Sequence, residues 1–223
     1  MADPVKRPRK SGTPAERKSG TRAEQARATR RRIVAAAAEQ FVAHGYAPTR
    51  LDQIAEQAGV AVQTVYFHFA NKRTLLKQAL DEAAVGDDEP VPLLDRPWVR
   101  QIHAEPDPRR VIALWQEGGR SIVERVAPLM RVVRGATGTD PELAAQWAVN
   151  QEQTRTAYGA LVQLLAERGA LKPELDVEQA RDIAFVIGNV ETYLQFSDLC
   201  GWTPAQWGQR TATLLAATLL PAG

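Results

Sequence analysis

The side chains best suited to molecular recognition stand close together in residues 51–72, LDQIAEQAGVAVQTVYFHFANK. Amide and hydroxyl groups can bond base edges and phosphate oxygens, and an aromatic ring can pack on the methyl group of thymine. The segment offers all three kinds of group, and we expect them on or beside one outer surface: Gln63, Thr64, Tyr66, Phe67 and His68. The chemistry that this set favours is recognition of a nucleic acid.

Two short helices around a tight turn would position that set. Ile54 and Ala58 lie four residues apart and therefore share a helical face. Gly59 then ends the first helix, because the left-handed conformation costs glycine least. Val65 and Phe69 repeat the inward spacing on the second helix. The segment therefore predicts a helix-turn-helix, whose second helix enters the major groove of DNA.

A longer helix should precede this unit. The spacing of Ile33, Ala37 and Phe41 predicts one buried face for a helix that runs from about Arg27 to His44. A turn at residues 45–49 then leads into the helix-turn-helix.

Cationic and hydroxyl groups flank the turn. Arg30 and Arg31 lie in the early turns of the first helix, where the helix dipole does not favour a positive charge. Contact with phosphate would explain their position, and a solvated basic face is the alternative. Thr49 can cap the next helix, with Asp52 as the reciprocal partner, and its hydroxyl can also bind phosphate.

Charge divides the chain into two parts. Residues 1–80 carry 15 Lys and Arg against 6 Asp and Glu, a net charge of +9. Residues 81–223 carry 13 against 20, a net charge of −7. Residues 1–22 are rich in Pro, Gly, Ser, Lys and Arg, and we expect a disordered basic arm there. This asymmetry favours a nucleic-acid-binding module joined to a module that does not contact phosphates.

Several classes of protein fit the sequence poorly. The single cysteine, Cys200, excludes an internal disulfide framework and favours a reducing cytoplasm. No apolar run reaches the roughly 18 to 20 residues of a membrane span, and the basic start lacks the apolar segment of a secretory signal. His44, His68 and His103 are scattered, and no phosphate-binding loop is present. We therefore expect no enzyme, no cofactor and no metal site.

Residues 33–80, IVAAAAEQFVAHGYAPTRLDQIAEQAGVAVQTVYFHFANKRTLLKQAL, resemble the N-terminal domain of the TetR family of bacterial transcriptional regulators. The matching positions are Phe41, Gly45, Tyr46, Thr49, Ile54, Ala55, Ala58, Gly59, Val60, Thr64, Tyr66, His68, Phe69, Lys72, Leu75 and Leu76. The resemblance implies an all-α protein with a DNA-binding domain at residues 23–70 and a connecting helix at residues 71–86. A larger helical domain for ligand binding and dimerisation would occupy residues 87–223.

The resemblance also implies roles for individual side chains. Contacts at or near the phosphate backbone are expected from Thr49, Thr64, Tyr66, His68 and Lys72. Gln63 and Phe67 would lie nearest the bases, where a Gln can bond an adenine edge through two hydrogen bonds. Ala61 and Val62 depart from the family, which commonly has a serine and a polar residue there. The helix cap that is lost contributes about 1 kcal/mol.

The C-terminal body is predicted to be helical at residues 107–126, 128–133, 140–168, 176–199 and from 203 onward, after a long connection at 86–108. Polar groups alternate with aromatic rings along one stripe of the longest helix. Such a stripe suits the wall of a cavity, and an ordinary core with internally bonded polar groups is the alternative. The candidate pocket residues are Trp115, Trp147, Gln151, Tyr158 and Glu191.

In the family, the last two long helices form the dimer interface, and the corresponding candidates here are Leu199, Trp207, Leu214 and Thr218. Cys200 could be a thiol sensor, although a small buried hydrophobic residue is the simpler interpretation.

The function that follows is a homodimeric DNA-binding regulator, a repressor that a small molecule releases from a palindromic operator. The partners would be double-stranded DNA, a second copy of the chain and a small-molecule effector, with no membrane. One alternative is an architectural DNA-binding protein without a ligand, and a cavity in the C-terminal body would distinguish the two. An enzyme with a helical catalytic domain is the other alternative.

Overall fold

The computed structural model describes residues 14–86 and 93–222, apart from the side chains of residues 14–21 and of Leu93. Of the described residues, 81% are in helices and none is in a strand, which confirms the all-α class. The α-helices are α1 Pro14–His44, α2 Leu51–Ala58, α3 Val62–Phe69, α4 Lys72–Val85, α5 Pro97–Ala104, α6 Pro108–Ala136, α7 Pro141–Glu167, α8 Val177–Gly188, α9 Val190–Cys200 and α10 Pro204–Leu219. None of the described helices is long and apolar enough to cross a membrane.

The N-terminal helices form around a small, fully buried core. Ile33 and Phe41 of α1 meet Ile54 of α2 and Phe69 of α3, and each of these side chains is at most 2% exposed. The same apolar cluster continues through α4 into the second half of α6 and into α9 and α10. The N-terminal helices and the C-terminal body therefore share a continuous core, in which α4 lies between them.

The first helix begins earlier than expected, at Pro14 rather than at Arg27. Residues 14–22 of the predicted disordered arm therefore belong to a helix, and residues 1–13 lie outside the described part of the chain. The segment 14–26 has no apolar stripe, but Ala, Glu, Arg, Lys and Gln are good helix formers. Helix propensity continues α1 beyond its packed part.

Two helix boundaries in the C-terminal body differ from the prediction. α6 runs through Pro128, where a break was expected, because Ala127 and Leu129 are buried on both sides of the proline. Their packing outweighs the loss of one backbone hydrogen bond. The predicted helix over 176–199 is instead divided at Asn189, whose extended backbone and side chain cap α9 by accepting a hydrogen bond from Thr192 N–H.

The predicted long connection at 86–108 contains structure of its own. A 3-10 turn at Leu93–Asp95 leads into α5, which buries Val99 and Ile102. Residues 87–92 of the connection lie outside the described residues. In the remainder of the body, α6 packs on α4, α7 and α10, and α7 packs on α8.

Candidate nucleic-acid interface and internal cavity

The helix-turn-helix has the predicted geometry. α2 ends at Gly59, whose φ of +64° lies in the left-handed region, and α3 begins three residues later at Val62. Val65 and Phe69 of α3 are buried against α2 and α1, and Ala55 at 2% exposure lets α2 and α3 approach closely. The inner face of α3 is therefore fixed by apolar packing, which leaves its other face outward.

The outward face of α3 is unusually apolar for a solvent-exposed surface. Phe67 is 85% exposed and Tyr66 is 53% exposed, with Gln63 also exposed beside them. Thr64 and His68 are half-buried at its edges. Ala61 at the N-cap of α3 makes no side-chain capping bond. Gln63, Tyr66 and Phe67 thus form the accessible part of the predicted set, which we call the recognition surface.

Thr49 does not have the position that a phosphate-binding hydroxyl needs. The residue is 1% exposed, and its Oγ1 donates to the carbonyl oxygens of Gly45, at 2.7 Å, and Gln40, at 3.2 Å. The N-cap of α2 is Arg50 instead, and Gln53 Oε1 accepts the reciprocal hydrogen bond from Arg50 N–H at 3.1 Å. Thr49 therefore fixes the turn between α1 and α2, and its predicted contact with DNA is withdrawn.

Lys72 is likewise directed inward. Its Nζ donates to the carbonyl oxygens of Tyr46 at 2.7 Å, Thr49 at 2.9 Å and Ala47 at 3.2 Å. It also lies 4.4 Å from the centre of the Tyr46 ring. Partial burial lowers the pKa of Lys72, and the nearby carboxylate of Asp140 partly opposes that change. With three donors bonded to this turn, Lys72 joins α4 to the helix-turn-helix and is not a free phosphate ligand.

Arg30 has a similar structural role. Arg30 donates to Gln78 Oε1 of α4 at 2.7 Å and to the His68 carbonyl at 3.4 Å, and its guanidinium lies 4.5 Å from the centre of the Phe69 ring. These bonds hold α1, α3 and α4 together, so Arg30 also leaves the set of expected phosphate contacts. Arg31 is exposed on α1, and its phosphate contact stays a prediction. Sequence spacing did not reveal the inward bonds, because the carbonyls that Lys72 meets lie 23 to 26 residues away.

A cavity of about 510 Å³ lies between α4, α6 and α7. Two of the candidate pocket residues, Trp115 and Tyr158, line it together with Trp98. The three rings are adjacent: 6.0 Å separates the centres of Trp98 and Trp115, and 6.1 Å separates those of Trp115 and Tyr158. α4 contributes Leu80, Asp81, Ala84 and Val85, so the cavity directly contacts the helix that also carries Lys72.

The Tyr158 hydroxyl is fully engaged within the protein. It lies 2.8 Å from Gln116 Oε1 and 2.9 Å from the Gly188 carbonyl, both of which can accept its hydrogen. Gln116 Nε2 donates onward to Thr211 Oγ1 at 2.7 Å, and Thr211 Oγ1 donates to the Trp207 carbonyl. Burial raises the pKa of Tyr158, so the phenol is neutral. Tyr158 therefore presents its ring to the cavity while its hydroxyl stabilises the contacts of α6, α7, α8 and α10.

Three of the predicted pocket residues lie elsewhere. Trp147 packs against the core that continues from the N-terminal domain, and Gln151 has a buried Oε1 without a partner among the described residues. Glu191 Oε1 pairs with Arg134 at 3.3 Å. Along the predicted stripe of α7, the later positions Thr154 and Tyr158 line the cavity, whereas Trp147 and Gln151 do not. The residues of α7 that complete the lining are Asn150, Gln153, Thr156 and Ala157.

The predicted interface residues also separate into two groups. Trp207 is fully buried, with its ring 5.5 Å from that of Tyr193, so it belongs to the core and not to a dimer surface. Leu199 is 83% exposed, Leu214 is 50% exposed, and Thr218 is half-buried. Cys200 is exposed at the end of α9, which contradicts its interpretation as a buried hydrophobic residue.

The N-terminal part of the chain is a helix-turn-helix module with an exposed second helix, and it is joined to a larger helical body. Residues 33–79 match the family described as bacterial regulatory proteins, tetR family. This match confirms the predicted resemblance of the N-terminal part of the chain to the DNA-binding domain of the TetR family.

Relatives of known sequence match the N-terminal part. The HTH-type transcriptional regulator SrpR of Pseudomonas putida is 49% identical over 49 residues, which are 22% of this chain and 23% of SrpR. The uncharacterized HTH-type transcriptional regulator TtgW, also of Pseudomonas putida, is 49% identical over 49 residues, which are 22% of this chain and 37% of TtgW. The chain thus spans well under half the length of these curated relatives.

Solved structures share the fold across the whole chain. NalD, the secondary repressor of the MexAB-OprM multidrug efflux pump in Pseudomonas aeruginosa, has a TM-score of 0.64 at 22% identity and covers 90% of this chain and 100% of its own. The regulator FadR of Bacillus subtilis, in complex with stearoyl-CoA, has a TM-score of 0.66 at 21% identity and covers 82% of this chain and 96% of its own. At these identities the likeness establishes the fold.

Proposed function

We propose that this protein is a cytoplasmic transcriptional repressor that binds a palindromic DNA operator as a homodimer and is released by a small molecule. The observation that carries the proposal is the recognition surface on α3. An 85% exposed Phe67 beside an exposed Gln63 has no role in the core of this chain, and both groups suit base edges in a major groove. Major-groove recognition requires such an outward surface on a rigidly packed helix.

Dimerisation would give the repressor its two recognition helices. Two helices that enter successive major grooves on one face of DNA lie about 34 to 36 Å apart. The exposed apolar side chains Val186 of α8 and Leu214 of α10 support an interface on these packed helices. Leu199 at the end of α9 stays a candidate for the same surface.

The cavity favours a ligand-released repressor over an architectural DNA-binding protein. α4 lines the cavity with Leu80 and Ala84, and at its other end Lys72 holds the turn that precedes α2. A ligand that binds better when α4 takes another position would move the helix-turn-helix and alter the spacing of the two recognition helices. Operator affinity would then fall by linkage.

The proposal can be tested with DNA selected from a random double-stranded pool by the full-length protein. We expect the selected sites to be palindromic and the affinity, measured by fluorescence anisotropy, to fall steeply with salt. Phe67→Ala and Gln63→Ala should each weaken binding by about tenfold or more, because a good base contact contributes about 1–3 kcal/mol. Neither substitution should change the stability, since both side chains are exposed.

Val149→Ala is the matched control, because Val149 is an exposed apolar residue on α7, at 48% exposure. Its DNA affinity should equal that of the wild type. Failure to enrich any sequence, or an affinity that does not depend on salt, would contradict the proposed function.

A further inference from the structure

We infer that the cavity between α4, α6 and α7 takes an uncharged, flat aromatic molecule that carries a hydrogen-bonding group at one end. This inference names the class of ligand for the repressor proposed above, and it rests on that function only for the effect of the ligand on DNA. The binding itself follows from the lining of the cavity.

The shape of the cavity favours a flat, apolar ligand. Three adjacent rings, Trp98, Trp115 and Tyr158, form one wall, and aliphatic side chains of α4 and α6 face the same space. Flat aromatic molecules gain offset or edge contacts with such rings in addition to the burial of apolar area. A volume of about 510 Å³ lies within the range of pockets for drug-sized molecules.

The charge of the lining disfavours an anionic ligand. No Lys, Arg or His is among the described residues that line the cavity. A carboxylate or phosphate on the ligand would therefore lose its hydration without meeting a cation, and burial of an unpaired charge is strongly unfavourable.

A cationic ligand is disfavoured for a different reason. Asp81 is the only carboxylate among the described lining residues, and its Oδ2 already pairs with Lys77 Nζ at 2.5 Å. The pair is solvent-exposed, with 42% of the Asp81 side chain accessible, so it offers little attraction for a second cation. The Tyr158 phenol cannot supply a charge, because its hydroxyl is bonded to Gln116 and Gly188.

A polar group on the ligand can meet the polar side chains of α7. Asn150, Gln153 and Thr154 line it on α7, where Thr154 Oγ1 donates to the Asn150 carbonyl. Gln153 Oε1 accepts from Asn150 at 3.4 Å, while the exposed Gln153 side chain keeps its Nε2 amide hydrogens for another acceptor. A hydroxyl or carbonyl on an otherwise apolar ligand fits these groups.

Gly119 supplies a way to fill the cavity without disturbing the fold. It lines the cavity from α6, and a Cβ added there would meet only Gln116 Oε1, at 3.9 Å. A larger side chain at this position would occupy the ligand's space. Gly135 on the same helix is exposed, with nothing within 4 Å of an added Cβ, and it does not line the cavity.

Three probes with the same aromatic body test the inference: pyrenemethanol, pyrenecarboxylate and pyrenemethylammonium. Their affinities for the full-length protein can be measured by calorimetry and by quenching of tryptophan emission, since Trp98 and Trp115 line the cavity. We expect pyrenemethanol to bind at least about tenfold more tightly than either charged probe. Equal or tighter binding of a charged probe, or no binding of pyrenemethanol, would overturn the inference.

Gly119→Leu locates the binding site. The variant should bind pyrenemethanol at least about tenfold more weakly than the wild type, whereas Gly135→Leu should bind it unchanged. Circular dichroism verifies that both variants are folded. Unchanged affinity in a folded Gly119→Leu variant would place the probe elsewhere and overturn the inference; if that variant does not fold, Gly119→Val provides the same test with a smaller side chain.

Adding selected DNA separates this inference from the proposed function. If pyrenemethanol binds as expected but leaves DNA affinity unchanged, the ligand class stands and release by this ligand is contradicted. If pyrenecarboxylate alone releases DNA, the ligand class is overturned and the ligand-released repressor stands.

Discussion

The helix-turn-helix and the C-terminal body are both built from α-helices, but the first is closely packed and the second encloses a cavity. Around α2 and α3, short helices close on small and branched side chains, and Ile54, Val65 and Phe69 are at most 2% exposed. In the body, long helices leave a cavity of about 510 Å³ between α4, α6 and α7. The closely packed helix-turn-helix presents a fixed outer surface, whereas the C-terminal body leaves space for a ligand.

The polar bonds follow the same division. In the N-terminal part, Lys72, Arg30 and Thr49 donate to carbonyls and a side-chain amide of the neighbouring helices and turn, and so hold α1 to α4 in one arrangement. In the body, the hydrogen-bonded chain from Tyr158 through Gln116 to Thr211 lies behind the cavity wall. A surface that reads DNA benefits from rigid support, and a cavity needs support only behind its lining.

The largest expected effect tests whether Trp207 belongs to the core of the body. Trp207→Ala removes a fully buried ring and should lower the free energy of unfolding by about 3–5 kcal/mol, measured by urea denaturation. Leu214→Ala, at an exposed site on the same helix, should instead act on self-association measured by sedimentation. If the Trp207→Ala protein had wild-type stability and weakened self-association, Trp207 would belong to the dimer interface and not to the core.

Lys72→Met tests the support of the helix-turn-helix. The change leaves three turn carbonyls without their cationic donor and should cost about 2 kcal/mol of stability. Lys77→Met, on the exposed side of the same helix, should change stability by no more than about 0.5 kcal/mol.

Binding to selected DNA gives a second readout for Lys72. If the side chain only supports the turn, the folded Lys72→Met variant should keep the wild-type slope of affinity against salt. A slope that decreases by about one unit would mean that Lys72 neutralises a phosphate, contrary to its position here.

The smallest effect compares two glycines of α6. A Cβ at Gly118 would lie 2.6 Å from the ring of Trp98, so Gly118→Ala should destabilise the protein by about 1–2 kcal/mol through overpacking beside the cavity. Gly135→Ala meets nothing within 4 Å and should stabilise the protein by about 0.5–1 kcal/mol, the gain of alanine over glycine in a helix. Thermal melting should show a lower melting temperature than the wild type for Gly118→Ala and a higher one for Gly135→Ala. A higher melting temperature for Gly118→Ala would contradict the packing of Trp98 against this glycine.

The local features of this protein could be predicted from its sequence. The spacing of Ile54, Ala58, Val65 and Phe69 predicts the helix-turn-helix, because short helices with one buried face have a fixed period, and Gly59 marks the stop. The resemblance to the TetR family depends on such ordered local positions. Proline-led caps likewise mark the starts of α6, α7 and α10.

Only the tertiary structure decided which way the long polar side chains point and where the core is left open. Lys72 meets carbonyls in a distant turn. Trp115 and Tyr158 line a cavity that Trp147, three turns earlier on the same stripe of α7, does not line. Helix periodicity shows which residues share the apolar face of a helix, but it does not show which other helix packs against that face. The sequence by itself determined the helix-turn-helix and its resemblance to the TetR family. The packing of distant helices determined which charged groups bond internally and which volume remains for a ligand.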